Sequence, residues 1–346
     1  KEVLISSGSI ERPIVFGNND TPGVMLSSAA KEYLKVYGVL VGRNPLIFTN
    51  NDSGYETAIE FKKNGVDSII LDTRKDPKSE IIDEAKNLGI KIKFSYVVVA
   101  AKGYKKVKSA DIAKISENKE ELGKVENISC DCICVSGFWT PTIHLASQSG
   151  NKTKFKEDID AFVPGVSKQN ETTLGAANGS FTLAETLKSS FEAGYELSKK
   201  ITKNDNMISF PNVVEKKSTV HDKFWCVPLP KGKTYKRFLD FQNDVAVSDI
   251  ELALREGFRS IEHVKRYTTL GMATDQGKTS NLNGLQLVSK IENKVVPAVG
   301  HTTFRPPYTP VSIGAIVGRE VGKHSKPTRK SPMHNWHEKH NAVFVD

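Results

Sequence analysis

The chain is most constrained by an alternation of short apolar runs and helical periodicities between Pro45 and Leu88. Pro45 to Thr49 (PLIFT) reads as a buried strand, the turn-rich NNDSG follows, and apolar residues recur at helical spacing from Tyr55 to Asn64. Asp67 to Asp72 (DSIILD) repeats the strand signal and Lys78 to Leu88 the helical one. Strands alternating with helices imply a parallel α/β unit, here half of a dinucleotide-binding fold. Beyond it, Ile92–Ala100, Tyr104–Lys108 and Ile112–Ile115 suggest a β-meander, and Asp131 to Val135 a return to a buried strand. The region closes near Ala176 to Gly179 (AANG), after which Thr182 can cap a helix running to about Ile201.

A chain of 346 residues has room for two or three domains at roughly 100 to 200 residues each. The first is expected over residues 1–201. Residues 202–236 are polar, carry VPLP and show no sustained period, which marks a linker. A small helical unit follows over 237–290, with helices over Asp244–Glu256, ended by Gly257, and Ser260–Thr269, ended by Gly271. From 291 to 346 the prolines of TTFRPPYTP exclude helix or central strand, so an extended connector is expected. Lys1–Ser6 already reads as a strand and AVFVD as the start of another, so the parent protein is expected to extend past both ends.

No run approaches the about 18 apolar residues of a membrane span. The 49 Lys and Arg against 40 Asp and Glu leave a formal charge of +9, which suits an anionic cofactor, an acidic partner or nucleic acid. The lysines lie in scattered runs such as Tyr104–Lys108, without the aromatic interleaving that reads single strands, so solvated faces are the simpler reading. Neither nucleic acid nor membrane is expected as a partner. Four cysteines, three of them in one strand, give no disulfide framework and fit a reducing cytoplasm.

Four motifs carry chemistry worth weighing. In Thr49–Gly54, where a strand-to-helix turn would carry G-x-G-x-x-G, only the last glycine survives; Thr49 and Asn51 replace the two that let backbone approach a pyrophosphate, so this half-site is expected to be weak or empty. Asp72 stands where a ribose-binding carboxylate would. Gly277, Lys278 and Thr279 end like a phosphate loop, but five residues rather than four separate Gly271 from Gly277, and the preceding HVKRYTTL is helical where a strand is needed. His263, Lys265, Arg266, Lys278, Thr279 and Ser280 nevertheless concentrate cations and hydroxyls able to hold a phosphate. Cys130, Cys132 and Cys134 would place three thiols on one strand face about 6 to 7 Å apart, poor geometry for zinc, so they read as small buried hydrophobes. His334, His337 and His340 would spread over about a third of a helix and read as surface and packing residues, so no metal site is expected.

The strings GSIERPIVFGNNDTPGVMLSSAAKEYLKVYG, FTNNDSGYETA, VSGFWTPTIHLASQSG, HVKRYTTLGMATDQGKTSN and TTFRPPYTPVSIGA resemble, in order, those of the alpha subunits of heterotetrameric sarcosine oxidase. The resemblance implies disulfide-reductase-like dinucleotide-binding (Rossmann-type) domains and then a small helical domain like the bacterioferritin-associated ferredoxin. A folate-binding aminomethyltransferase domain would come next, beyond Asp346. It implies NAD contacts at Ser7 and Gly8 and at Gly175, Ala176, Asn178 and Gly179. It also gives His263, Lys265, Arg266, Lys278 and Thr279 a use as contacts to flavin mononucleotide (FMN) shared with the beta subunit, or to a subunit interface. The positions matching the ferredoxin's cysteines are Asp240, Gln242, Asp275 and Ser280. Iron–sulfur ligation needs thiolates, so the shape is expected without the cluster.

The activity implied is oxidation of sarcosine to glycine in a complex with beta, gamma and delta subunits, with FAD on the beta subunit. Tetrahydrofolate would take the carbon and oxygen the electrons, yielding hydrogen peroxide. No catalytic residue is expected in this chain. A related N-methylglutamate dehydrogenase would share these motifs, and a non-catalytic assembly subunit would explain the degraded Thr49–Gly54 loop.

Overall fold

The computed structural model describes residues 2–203, 209–210, 213, 221–307, 309–319, 322 and 329–344. It divides into two compact units, residues 1–308 and 309–346.

The first unit is built on a five-stranded parallel sheet in the order Val24–Leu26, Cys132–Ser136, Pro45–Thr49, Ile69–Asp72, Lys91–Phe94. Pro45–Thr49 and Cys132–Ser136 are buried at every position, because parallel strands are covered on both faces. The pleat sorts their side chains. Ile47, Ile70, Cys132 and Cys134 face helices Ser27–Tyr37, Ser53–Lys63 and Glu80–Asn87, meeting Ala30, Tyr55, Ala58, Phe61 and Ile82. Leu46, Phe48, Leu71, Ile133 and Val135 face the other way, onto an antiparallel meander of Tyr96–Lys102, Ser109–Ile115 and Leu122–Ser129. The sequence places a strand at Tyr104–Lys108. Here the chain instead turns: Gly103 has φ +153°, a Cβ there would lie 1.9 Å from the Lys106 carbonyl oxygen, and Tyr104 is 92% exposed.

The three cysteines do not share a face. Cys132 and Cys134 lie under the helices with their sulfurs 3.7 Å apart, whereas Cys130 packs into the meander side. The break comes at Asp131, whose carboxylate accepts from the backbone N–H groups of Arg43 (2.8 Å) and Asn44 (2.9 Å) just before the strand begins.

A third apolar cluster joins Ile143, Phe162 and Val163 to Leu239, Ile250, Leu254, Val264, Leu285 and Val288. The second group comes from strand Phe238–Asp240 and helices Val247–Arg255, Ile261–Thr268 and Asn281–Glu292. Of the polar stretch read as a linker, residues 204–208, 211–212 and 214–220 lie outside the described residues. The remainder is anchored: Val15 N–H donates to the Trp225 carbonyl and Val227 N–H to that of Val15, both at 2.8 Å. As expected, Thr182 caps a helix, Leu183–Thr202, by accepting from Glu185 N–H.

The second unit holds two short helices, Ile313–Val317, capped by Ser312, and His334–Lys339. The ring Nδ1 of His340 lies 2.7 Å from the Trp336 carbonyl oxygen. Among the described residues no three His, Cys, Asp or Glu side chains are grouped to hold a metal, and no helix is long and apolar enough to cross a membrane.

Burial pushes the Cys130 thiol up to about 12, and the contact with Cys132, then burial, raise that of Cys134 well above its usual range. At neutral pH these are thiols, and the thiolate is the reactive form. Titration of the native chain with a thiol-specific chromogenic disulfide is expected to modify at most Cys226, with all four cysteines reacting once the chain is unfolded.

Candidate functional site

Open parallel sheets bind ligands at the carboxyl ends of their strands, and here the protein's own residues cross that end, leaving a hollow of about 370 Å³ beside Arg74, Ser95, Lys119 and Asp222. Asp72, at the end of its strand and fully buried, accepts from the Tyr55 hydroxyl at 2.6 Å, from Arg74 N–H at 2.9 Å and from Arg74 Nη2 at 2.8 Å. Arg74 Nη1 reaches Asp52 Oδ1 at 2.8 Å. The carboxylate placed for a ribose is thus committed to a buried guanidinium, and burial, with the Asp72 charge adding to it, pushes the Tyr55 hydroxyl above its ordinary range.

The loop before helix Ser53–Lys63 is closed in the same way. Asn51 Oδ1 accepts from Ser53 N–H at 2.8 Å, and Asn51 Nδ2 donates to the carbonyl and hydroxyl oxygens of Ser136, both at 3.1 Å. Asn50 donates through Nδ2 to the Asp222 carbonyl at 2.8 Å and accepts at its own carbonyl from Asp222 N–H at 2.9 Å. The Asp222 carboxylate is held by Thr73 Oγ1 and Lys119 Nζ, each at 2.8 Å. Residues His221–Phe224 therefore lie as a strap across the crevice. Gly54 persists for packing, since a Cβ there would meet the Thr49 Cβ at 2.7 Å.

The other sequence-predicted nucleotide residues do converge. Strand Val3–Ile5 pairs in parallel with Glu171–Thr173, and Leu174 N–H donates to the Ile5 carbonyl at 2.9 Å. Ser7 and Gly8 leave one strand, and Gly175, Ala176, Asn178 and Gly179 the other, at the same end of the pair. Ser7 Oγ donates to the Thr142 carbonyl at 2.8 Å, and Gly8 accepts from Thr142 N–H at 3.0 Å. Gly8 takes φ +74° with open space beside it, while a Cβ on Gly179 (φ +80°) would lie 2.8 Å from Ile159 Cδ1.

The predicted cation group is not gathered into one pocket. Lys265 and Arg266 line a hollow of about 530 Å³ with Glu262, Met272, Gln276, Thr303 and Arg305. Lys278 lines a small separate hollow with His144, His301 and Phe304, and Thr279 a third with Asp20, Met25 and Phe241. His263 is exposed on helix Ile261–Thr268.

The positions matched to cluster cysteines meet as oxygen donors and acceptors. Asp240, 3% exposed, accepts at Oδ1 from Gln242 N–H (2.9 Å) and Asn243 N–H (3.3 Å), and at Oδ2 from Gly271 N–H (2.8 Å) and Ser280 Oγ (3.5 Å). Gln242 Oε1 accepts from Thr274 Oγ1 at 2.9 Å, and Asp275 Oδ1 from Gly277 N–H at 3.0 Å. Oxygen atoms already saturated with N–H and O–H donors do not suit an iron–sulfur cluster, which needs soft thiolates.

Sequence reading missed Arg12. It is 1% exposed, donates through Nε to the Gly137 carbonyl at 2.7 Å and lies over the Trp225 ring with its guanidinium carbon 3.9 Å from the centroid. Burial pulls it down to about 9, against the opposing influence of Asp160.

Fold and site together define an α/β protein of the dinucleotide-binding type with an appended small helical region. The L-proline dehydrogenase of P. horikoshii shares that fold: TM-score 0.62 over 92% of this chain and 59% of that one, at 20% identity. The chain is similar along its whole length to sarcosine oxidase alpha subunits. It is 40% identical to the sarcosine oxidase subunit alpha of Rhizobium meliloti (strain 1021) and 34% identical to that of Corynebacterium sp. (strain P-1), in each case over 100% of this chain. Residues 234–319 match the sarcosine oxidase A3 domain. The chain spans 34% and 36% of those two relatives, about a third of their length.

Restoring glycine with Thr49→Gly and Asn51→Gly is expected to lower stability by about 1–3 kcal/mol, through lost hydrogen bonds at Ser53 and Ser136. No affinity for a dinucleotide at this crevice is expected from it, as chemical denaturation and equilibrium dialysis with NADH would show. Asp240→Ala, which strands the buried donors Gly271 N–H and Ser280 Oγ and frees two part-buried ones at Gln242 and Asn243, is expected to cost about 2–4 kcal/mol in a thermal melt, with Asp240→Asn losing less.

Proposed function

We propose that this chain is the nucleotide-binding and subunit-contacting part of a flavin-dependent amine oxidoreductase of the sarcosine oxidase type. The observation that carries the reading is similarity to sarcosine oxidase alpha subunits over the entire chain, at up to 40% identity. The placement of Ser7 and Gly8 beside Gly175–Gly179 supports it. In this reading NAD binds at Ser7, Gly8, Gly175, Ala176, Asn178 and Gly179, and the Thr49–Gly54 crevice is scaffold. His263, Lys265, Arg266, Lys278 and Thr279 contact FMN or a partner subunit from separate hollows. The domains follow as 1–201 for the dinucleotide-binding fold, 202–236 for the connection, 237–290 for a helical region without a cluster, and 291–346 leading towards a folate-binding domain.

The assembly, with beta, gamma and delta subunits in the cytoplasm, oxidises sarcosine to glycine at a flavin on the beta subunit. The carbon passes to tetrahydrofolate as the methylene form, and oxygen takes the electrons to give hydrogen peroxide. This chain binds and positions; the sites where bonds change lie outside it. Two uncovered surfaces support such an arrangement: helix Leu183–Thr202 buries none of its residues, and Val3 and Leu4 are 55% and 40% exposed. A non-catalytic assembly subunit is favoured by one observation, the strap over the Thr49–Gly54 crevice, and differs in binding no nucleotide at all.

Mass spectrometry of ligands released from the full-length complex, with oxygen uptake on sarcosine, is expected to yield NAD and flavin together with substrate-dependent uptake. Nucleotide without uptake would select a related dehydrogenase such as one for N-methylglutamate. Complete absence of nucleotide would select the assembly subunit. The 346-residue chain alone is expected to show no uptake on sarcosine.

A further inference from the structure

We infer that Lys265, Arg266 and Arg305 form a binding site for the phosphoryl group of a phosphate ester, distinct from the hollows that hold Lys278 and Thr279. Three cations line this one hollow, and Glu262 is the only carboxylate among its lining residues. Lys265 comes from helix Ile261–Thr268 and is 8% exposed, yet among the described residues its ammonium has only a carbonyl hydrogen-bond partner, Thr303 O at 3.2 Å. Glu262 also accepts from Thr303 N–H at 2.7 Å, so its carboxylate is shared between that amide and the charge of Lys265. Arg266 and Arg305 are exposed and form no ion pair with the described residues.

Like charges held together in a partly buried site destabilise one another; burial lowers the pKa of Lys265, Glu262 opposes that, and Arg305 and Arg266 add to the lowering. A dianion relieves that repulsion, and two guanidinium forks with one ammonium suit the oxygens of a phosphoryl group. The hollow, about 530 Å³, is of the size that holds small molecules rather than a bare ion, and Met272 gives it an apolar wall for the rest of an ester. Arg305 lies on the proline-rich segment after Pro297, outside the sequence-predicted group, and the fold brings it back: its N–H lies 3.4 Å from Gln276 Oε1. The inference deepens the proposed FMN or interface contact of Lys265 and Arg266, and rests on it for the identity of the ester alone.

The test is calorimetric titration of the 346-residue chain with inorganic phosphate at fixed ionic strength. One binding event is expected, weakened about tenfold, or about 1.4 kcal/mol, by Arg305→Gln, and strengthened several-fold by Glu262→Gln. Arg305 is on the surface, so its replacement leaves the fold intact even if Lys265→Gln does not. Absence of binding, binding indifferent to Arg305→Gln, or an equal loss with Lys278→Gln would overturn the assignment. Competition then separates the sources. Displacement of phosphate by FMN but not by riboflavin identifies the flavin's phosphate. Arg305-dependent phosphate binding that FMN does not displace leaves the anion site standing and removes the flavin reading.

Discussion

The buried guanidinium of Arg74 is the constraint around which the centre of this protein is arranged. It is 8% exposed and binds Asp72 and Asp52 at once, so both carboxylates lie where an open sheet of this type would present groups to a ligand. A buried ion pair adds little net stability, but losing one partner leaves an uncompensated charge, at a cost of about 3–5 kcal/mol. Once Arg74 is in place, the loop Asn50–Asp52 must turn inward to complete the network. The crevice then accepts backbone from the protein's own His221–Phe224 more readily than a diphosphate, because Asp222 already supplies an anion there, held by Lys119 and Thr73. One arginine two residues beyond a strand end thus engages both carboxylates at the carboxyl end of the sheet.

Much of this frame is legible in the residues, and the reasons differ between parts. PLIFT and DSIILD are buried on both faces, so continuous apolarity marks them directly, and Thr182 announces its helix because capping is a local interaction. The meander was displaced at Tyr104–Lys108, since β-propensity there competes with a turn that only Gly103 permits. Cysteine alternation gave the right facing for Cys132 and Cys134 and failed for Cys130, because strand register ends where Asp131 caps the backbone of Arg43 and Asn44. The strap was invisible for a different reason. Asp222 meets Asn50 through its backbone and Thr73 and Lys119 through its carboxylate, all far away in the chain, and contacts over such separations leave no local pattern to read.

The candidate sites show the same divide. Ser7, Gly8 and Gly175–Gly179 meet because two parallel strands end together, a relation set by topology. The cations between His263 and Thr279 are close in sequence yet open into different hollows. Lys265 is on a helix, where residues two apart do not share a face with one another, and Lys278 and Thr279 lie beyond it in a run of turns that points successive side chains apart. Arg305 joins Lys265 across a separation that a motif scan does not span.

Asp240 shows how one buried carboxylate can organise a small region. In a thiolate-ligated domain a cluster would tie strand, turn and helix together by covalent coordination; here one carboxylate does so by accepting from Gln242, Asn243, Gly271 and Ser280. Those donors come from the strand Phe238–Asp240 turn, the Gly271 loop and the start of helix Asn281–Glu292, the three segments such a site must join. Hydrogen bonds to a charged acceptor contribute about 1.5–3 kcal/mol each before the cost of burying the charge, enough to hold three segments in register. A carboxylate carries no electrons, however. The region is thereby suited to shaping a surface, such as the hollow of Lys265 and Arg305.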